Sequence, residues 1–241
     1  MSRNILVTGG GTGIGRAVAQ HFAEQGDTVF ATGRRPEPLA ELASKRVGDI
    51  RTRPCDHTDP AAVNGLLGEL PGTLHVLVNN AGGNTGFDAD GKTDLASYVR
   101  DFRANLDANL VSAALTTHAL DERLATGGAI VHIGSIAADK GAGSYGAAKA
   151  GLASWNLELA DRLGPRDITA NVVSPGYITD TEFFRDHLTD ARRENLVAAT
   201  SLGRAGLPDD IAESVGFLAS PAARHITGQV LNVNGGERKT R

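Results

Sequence analysis

Asn4-Ile5-Leu6-Val7-Thr8-Gly9-Gly10-Gly11-Thr12-Gly13-Ile14-Gly15-Arg16-Ala17-Val18-Ala19 decides the architecture of this chain. An apolar run meets a glycine cluster and then resumes with helical spacing, which reads as strand, tight turn and helix. Glycine reaches positive φ without a Cβ penalty and lets backbone approach a ligand closely. The unpaired N–H groups and the dipole at the helix start favour a pyrophosphate, so a dinucleotide is the natural ligand, with Gly9, Thr12, Gly13, Ile14 and Gly15 as candidate contacts. The spacing Gly9-x-x-x-Gly13-x-Gly15 meets the commoner G-x-G-x-x-G fingerprint only in part, and a glycine-rich hairpin is the competing reading.

Outward from that stretch, strand and helix patterns alternate. Strands are expected at Ile5–Thr8, Thr28–Thr32, Asp49–Pro54, Leu74–Asn79, Ala129–Gly134, Ile168–Val173 and Val230–Val233. Helices are expected at Gly13–Gln25, Pro60–Glu69, Leu95–Ala125, Gly146–Leu163 and Pro208–Leu218. This pattern predicts one α/β domain over residues 1–241, a doubly wound, Rossmann-type parallel sheet of about seven strands with helices on both faces. Ligands of such sheets bind beyond the carboxyl ends of the strands. Gly9–Gly15, Asn79–Gly82, Ser135 and Pro175–Gly176 all fall there.

Composition narrows the function classes. A length of 241 residues without a Pro/Gly/Ser-rich linker suits one domain with a sizeable core. The net charge of −4 and the lack of a basic stripe argue against nucleic acid. A lone cysteine, Cys55, excludes an intrachain disulfide and fits a reducing compartment. Met1-Ser2-Arg3-Asn4 leads into the first strand without a signal-type apolar stretch, and no apolar run reaches spanning length, so a cytoplasmic protein with no membrane partner is expected. The seven histidines are scattered without ligand spacing, which gives no support for a metal.

Tyr145 and Lys149 stand four residues apart in Ser144-Tyr145-Gly146-Ala147-Ala148-Lys149, so on a helix they share a face. A cation beside a phenol favours phenolate and can turn a tyrosine into a proton donor or acceptor near neutral pH. The pair alone is common on exposed helices. With the glycine-rich Thr8–Gly15, Cys55-Asp56, Asn79-Asn80-Ala81-Gly82, Asn109-Leu110, Ser135, Ser174-Pro175-Gly176 and Val233-Asn234-Gly235-Gly236, in this order and spacing, the chain resembles the short-chain dehydrogenases/reductases across nearly its whole length.

The resemblance implies that Tyr145 protonates a substrate carbonyl oxygen as hydride arrives from a nicotinamide, and that Ser135 hydrogen-bonds the same oxygen. It implies that Lys149 binds the nicotinamide ribose and lowers the pKa of Tyr145, and that Asn109 holds a water extending the proton path, with Asn105 as a rival one turn away. Asp56 is expected at the adenine amino group, Asn80, Ala81 and Gly82 along the adenosine ribose side, and Pro175, Gly176 and Ile178 at the nicotinamide. Ser135 and Tyr145 are only ten positions apart, fewer than in many relatives, so the loop Ile136–Ser144 must be short and change the pocket wall. Ser144, directly before Tyr145, reads as a helix N-terminal residue. Relatives place a Thr four residues beyond the glycine of Pro175-Gly176; here that position is Asp180, between Thr179 and Thr181.

Coenzyme choice turns on the end of the second strand. An NAD site carries a carboxylate there for the ribose 2′-hydroxyl. This chain has Gly33 followed by Arg34 and Arg35, and a guanidinium matches phosphate, so NADP(H) is favoured over NAD(H). Thr12 brings no basic residue to the glycine loop, where many NADP-preferring relatives carry one.

A substrate flap is expected at about 177–207, with Phe183, Phe184 and Leu188 facing the pocket and Arg185, Asp186, Arg192 and Arg193 on a solvated helix face. Likeness to 3-oxoacyl-carrier-protein reductases and polyketide ketoreductases points to reduction of a ketone or a 3-oxoacyl, carrier-bound thioester. The rivals are a secondary-alcohol or sugar dehydrogenase working oxidatively, and a non-catalytic nucleotide sensor on the same fold. By resemblance the chain is expected to be a homotetramer, or a homodimer, built through the Leu95–Ala125 and Ala147–Leu163 helices and the last strand, with Ala113, Ala114, Ala147, Ala148, Ala150 and Gly151 allowing close packing.

Overall fold

Seven parallel strands form a single sheet: β1 (Asn4–Thr8), β2 (Thr28–Gly33), β3 (Asp49–Pro54), β4 (Leu74–Asn79), β5 (Leu124–Ile133), β6 (Thr169–Pro175) and β7 (Val230–Val233), in the order β3-β2-β1-β4-β5-β6-β7. The computed structural model describes residues 2–240. Met1 and Arg241, the ends of the expected domain, lie outside the described residues. The order reverses between β1 and β4, whose registers run Ile5 to Val76 and Val7 to Val78, and this opens a crevice at their carboxyl ends.

Helices cover both faces: α1 (Gly13–Glu24), α2 (Pro36–Ser44), α3 (Pro60–Leu67), α4 (Leu95–Leu106), α5 (Ser112–Leu120), the single turn α6 (Ala137–Lys140), α7 (Gly143–Leu163), α8 (Asp190–Ala198) and α9 (Pro208–Leu218). Alternation along the strands divides the core in two. Ile5, Val7, Val29, Val78 and Val131 point to α1, α2 and α9. Leu6, Phe30, Leu77 and Ile130 point to α3, α5 and α7. α1 and α9 meet closely because Gly216 has no side chain: a Cβ there would stand 2.2 Å from His21 Nε2.

All seven strands are where the sequence pattern places them, to within a few residues, except that β5 starts five residues early, at Leu124. The expected helix Leu95–Ala125 is therefore corrected at its end, and it is also interrupted. Asp107–Val111 is a π-turn between α4 and α5, followed by the 3-10 turn Asp121–Arg123. α2, which the sequence pattern left unassigned, starts with Pro36 and buries only Leu39 and Leu42, too few apolar positions to show a clear helical period.

Candidate active site and nucleotide cleft

Gly9 and Gly13 adopt φ of +65° and +50°, and between them the chain turns from β1 into α1. Gly15 closes the turn: a Cβ there would lie 2.1 Å from the Gly9 carbonyl oxygen. Thr12 is the N-cap residue, but no side chain caps the helix and no acid stands in its first turn. The first N–H groups of α1, including those of Gly13, Ile14 and Gly15, are thus left to an anion, as a pyrophosphate requires. Thr8, a residue to which the sequence assigned no function, has its Oγ1 accepting the N–H groups of Asn80 (3.0 Å) and Ala81 (2.9 Å). Asn80 Nδ2 in turn donates to the carbonyls of Thr8 (3.1 Å) and Gly9 (3.0 Å). This locks the end of β4 to the glycine turn and sets the floor of the cleft.

At the outer end of the cleft, Gly33 has open space where a side chain would start, and Arg34 and Arg35 are both exposed. Burial works to raise the pKa of Asp56, but the Thr58 amide and hydroxyl, with Arg34 and His57 nearby, hold its carboxyl below the usual range. His57 behind it is buried, with Nε2 at 2.7 Å from Thr32 Oγ1 and Nδ1 at 2.8 Å from Thr116 Oγ1. Thr116 Oγ1 already donates to the Ser112 carbonyl, so it accepts from Nδ1–H and leaves Nε2 to accept from Thr32.

Ser135 follows β5, and β5 is stitched to β6 by Gly134 N–H donating to the Val173 carbonyl (2.7 Å) and Ile136 N–H to that of Pro175 (3.1 Å). Tyr145 and Lys149 both lie on the buried face of α7. Ser135 lies close enough to Tyr145 to pull the phenol pKa down, so the structure brings these two groups together. Lys149 Nζ stands 5.9 Å from the Tyr145 ring centroid and donates to the Ile133 carbonyl at 2.8 Å.

In the chain alone, burial pushes the Tyr145 phenol up to about 12, against the smaller downward pull of Ser135. Burial also brings Lys149 down to about 8. The ammonium is turned to a main-chain carbonyl, and Phe183 packs on the phenol ring at 5.5 Å between centroids, so desolvation dominates.

Asn109 is fixed by three hydrogen bonds. Its Oδ1 accepts from Gly83 N–H (3.0 Å), and its Nδ2 donates to the carbonyls of Gly83 (2.9 Å) and Asn105 (3.0 Å). Gly82 makes room for this, since a Cβ there would lie 2.5 Å from Asn109 Oδ1. Asn105 accepts from Thr85 N–H (3.1 Å) and donates to Ser144 Oγ (2.9 Å), which ties Ser144, in the first turn of α7, to α4. The side chains of both asparagines brace the loop after β4.

The short Ser135–Tyr145 loop is filled by α6 and held by two ion pairs to the C-terminal tail, Lys140 with Glu237 and Arg238 with Asp139 (3.8 Å). Opposite it, Pro175-Gly176 packs against Asn234: a Gly176 Cβ would stand 2.8 Å from that of Asn234. Ile178 follows, buried and bridged to Gly206. Asp180 takes the left-handed region (φ +55°), which absorbs the extra residue and brings Thr181 onto the glycine turn, its Cγ2 3.3 Å from where a Gly13 Cβ would be. Thr179 faces the Gly206 bridge instead.

Phe183 and Phe184 close over the site with Phe87 and Tyr177, and His187 stacks on Phe87 at 4.9 Å. Leu188 is half-buried. Arg185, Asp186, Arg192 and Arg193 are all exposed, as expected, with Arg185 paired to Asp88 and Arg192 lying over the Phe184 ring at 5.0 Å. Among the described residues, no helix is long and apolar enough to cross a membrane, and no group of three His, Cys, Asp or Glu is placed to hold a metal ion.

A family profile described as enoyl-(acyl carrier protein) reductase matches residues 9–237. The chain is 34% identical over 241 residues to the 3-oxoacyl-[acyl-carrier-protein] reductase FabG of Escherichia coli K12, covering 96% of this chain and 95% of that protein. It is 33% identical over 238 residues to the FabG of Rickettsia bellii, with the same coverage. Among solved structures, a blue fluorescent protein from a metagenomic library in complex with NADPH superposes with a TM-score of 0.83 at 32% identity over 98% of each chain. A Pseudomonas aeruginosa RhlG/NADP active-site complex gives a TM-score of 0.85 at 30% identity over 98% of this chain and 96% of that one.

Proposed function

The chain belongs to the short-chain dehydrogenase/reductase family, and on that footing we propose that it uses NADPH to reduce a ketone or 3-oxoacyl-type carbonyl to a secondary alcohol. One observation carries the reading: the Ser135–Tyr145 pair and buried Lys149 converge with the uncapped start of α1 on the same carboxyl edge of the sheet. Gly9, Thr12, Gly13, Ile14 and Gly15 would hold the pyrophosphate, Asp56, Asn80, Ala81 and Gly82 the adenosine, and Pro175, Gly176, Ile178 and Lys149 the nicotinamide half. When bound, NADPH supplies the hydride.

The chain's own residues manage the oxygen. Ser135 Oγ donates to the carbonyl and fixes its position, and Tyr145 Oη transfers its proton to the developing alkoxide. The Lys149 cation stabilises the phenolate that this leaves. The buried phenol starts the cycle protonated, as a proton donor to the carbonyl oxygen must be. Asn109 contributes by holding the Gly83 backbone beside the cleft.

NADPH is preferred over NADH because no acid stands at Gly33 to repel a 2′-phosphate and because Arg34 and Arg35 are exposed beside it. The aromatic wall of Phe87, Phe183 and Phe184 suits a substrate with an apolar body, such as an acyl chain delivered on a carrier, better than a sugar. We place the protein in the cytoplasm, where its carrier-linked relatives' substrates would be met. The test is loss of NADPH absorbance with a panel of ketones and 3-oxoacyl thioesters, using Tyr145→Phe as the reference. Turnover by the wild type and near-complete loss in the variant, with coenzyme binding kept, is the expected result; equal turnover by both proteins rejects the role of Tyr145.

A further inference from the structure

Arg35 is paired with an acid that lies 147 positions away, Glu182 of the flap. The neighbouring Thr181 rests on Gly13 of the pyrophosphate turn. Two consecutive flap residues therefore touch the pyrophosphate turn and the adenosine end of the nucleotide cleft. The Arg35 and Glu182 side chains are 58% and 59% exposed, so this is an ion pair at a surface that water and solutes can reach. β2 ends on Gly33 and supplies no carboxylate of its own, so among the described residues Glu182 is the acid paired with this guanidinium.

We propose that Glu182 is a coenzyme-selectivity residue that competes with the adenosine 2′-phosphate for Arg35, so that NADPH, but not NADH, must displace the flap carboxylate on binding. The inference rests on the assignment of Arg35 to the phosphate. An exposed ion pair is weak, and a phosphate offers a guanidinium a charged, bidentate partner, so the exchange favours the coenzyme. Once Glu182 is displaced, the flap loses its anchor at the adenosine end. NADH carries no phosphate and leaves the pair intact. Linkage makes the effect reciprocal: the factor by which Glu182 weakens NADPH is the factor by which NADPH loosens the Glu182 contact.

Calorimetric titration of NADPH and NADH into wild type, Glu182→Gln, Arg35→Ala and the double variant tests this. Glu182→Gln is expected to tighten NADPH about two- to fivefold, the range set by an exposed pair, and to leave NADH unchanged. In the Arg35→Ala background the same substitution is expected to do nothing. A purely structural role for Glu182 would move both coenzymes together, and that result, or weaker NADPH binding by Glu182→Gln, overturns the proposal. If Arg35→Ala leaves the NADPH-to-NADH ratio unchanged, the assignment of Arg35 fails and takes the competition with it. Carbonyl reduction abolished by Tyr145→Phe would still stand in that case.

Discussion

Single residues set both the chemistry and the pH limits of this protein. His57 and His132 are buried and held neutral, with burial bringing them down to about 4 and about 3, the latter helped by Lys149. In the unfolded chain each would titrate near 6.5, so as pH falls below that value the unfolded state takes up protons that the fold refuses. Stability should therefore be insensitive to these groups above about pH 6.5 and decline below it, by about 1.4 kcal/mol per pH unit for each histidine until its folded value is reached. Urea unfolding at a series of pH values checks this. His132→Asn should flatten the slope between pH 6 and 4.5, and an unchanged slope would show that His132 is not the group responsible. Coenzyme choice is also a residue-scale matter. Arg34→Ala should weaken NADPH about ten- to a hundredfold, the worth of one charge-assisted contact, with little effect on NADH. Gly33→Asp has open space to occupy, so it should add repulsion of the phosphate without disturbing the fold and tip kcat/KM toward NADH. A wild type that already prefers NADH would refute the reading of Gly33 and Arg34.

At the scale of elements, the π-turn Asp107–Val111 is the feature that pattern reading missed and the site depends on. Its extra residue turns Asn109 inward, where both ends of one amide satisfy the N–H and the carbonyl of Gly83. Asn109→Ala leaves those main-chain groups without partners and should cost about 1–3 kcal/mol in urea unfolding. It should also lower kcat more than it raises KM for coenzyme, because the loop beside the cleft loses its brace. A variant with wild-type stability and kcat would remove Asn109 from the site. Strands were legible because parallel strands buried on both faces show as short apolar runs bounded by Gly, Pro and Asp, as in Ile5–Thr8 and Leu74–Asn79. The π-turn was not, because one extra residue inside a 26-residue helical pattern from Leu95 to Leu120 shifts the period by less than the scatter of its apolar positions. Ser135, Tyr145 and Lys149 could be singled out from local motifs, whereas the burial that governs their ionisation could not. The lid formed by Phe183 and the turn of Lys149 toward Ile133 are tertiary facts, and so is the Arg35–Glu182 pair, which joins segments with no local signal between them.

For the whole molecule, the distribution of apolar surface separates what packs inside one chain from what is left for another. Ala113 and Ala148, expected from sequence to ease contact between copies, are buried within the subunit, and Gly151 makes room for Leu110 of the same chain, a Cβ there lying 3.0 Å from Leu110 Cδ2. Ala147 and Ala150 are exposed on α7 and Ala114 is half-buried. Larger exposed apolar residues mark out the candidate surfaces. Leu95 (85% exposed), Tyr98 and Val99 line α4, Val111 ends the π-turn, Leu157 lies on α7, and Val230 and Leu231 stand on β7, at the free edge of the sheet. Two separate apolar surfaces, one along α4 and one at β7 with Leu157 beside it, its Cδ2 3.9 Å from where a Gly228 Cβ would be, are what a dimer of dimers needs, since each two-fold axis requires its own self-complementary patch. A homotetramer is therefore expected, and light scattering at micromolar concentration should report four chains. Leu95→Glu with Val99→Glu places charges on the first surface only, and Leu231→Lys on the second only, so each should stop assembly at dimers, while both sets combined should yield monomers. Because these side chains are exposed in the subunit, urea unfolding of the monomeric form should remain cooperative. A wild type that elutes and scatters as a monomer, or surface variants that leave a tetramer intact, would place the exposed apolar residues outside any interface between copies.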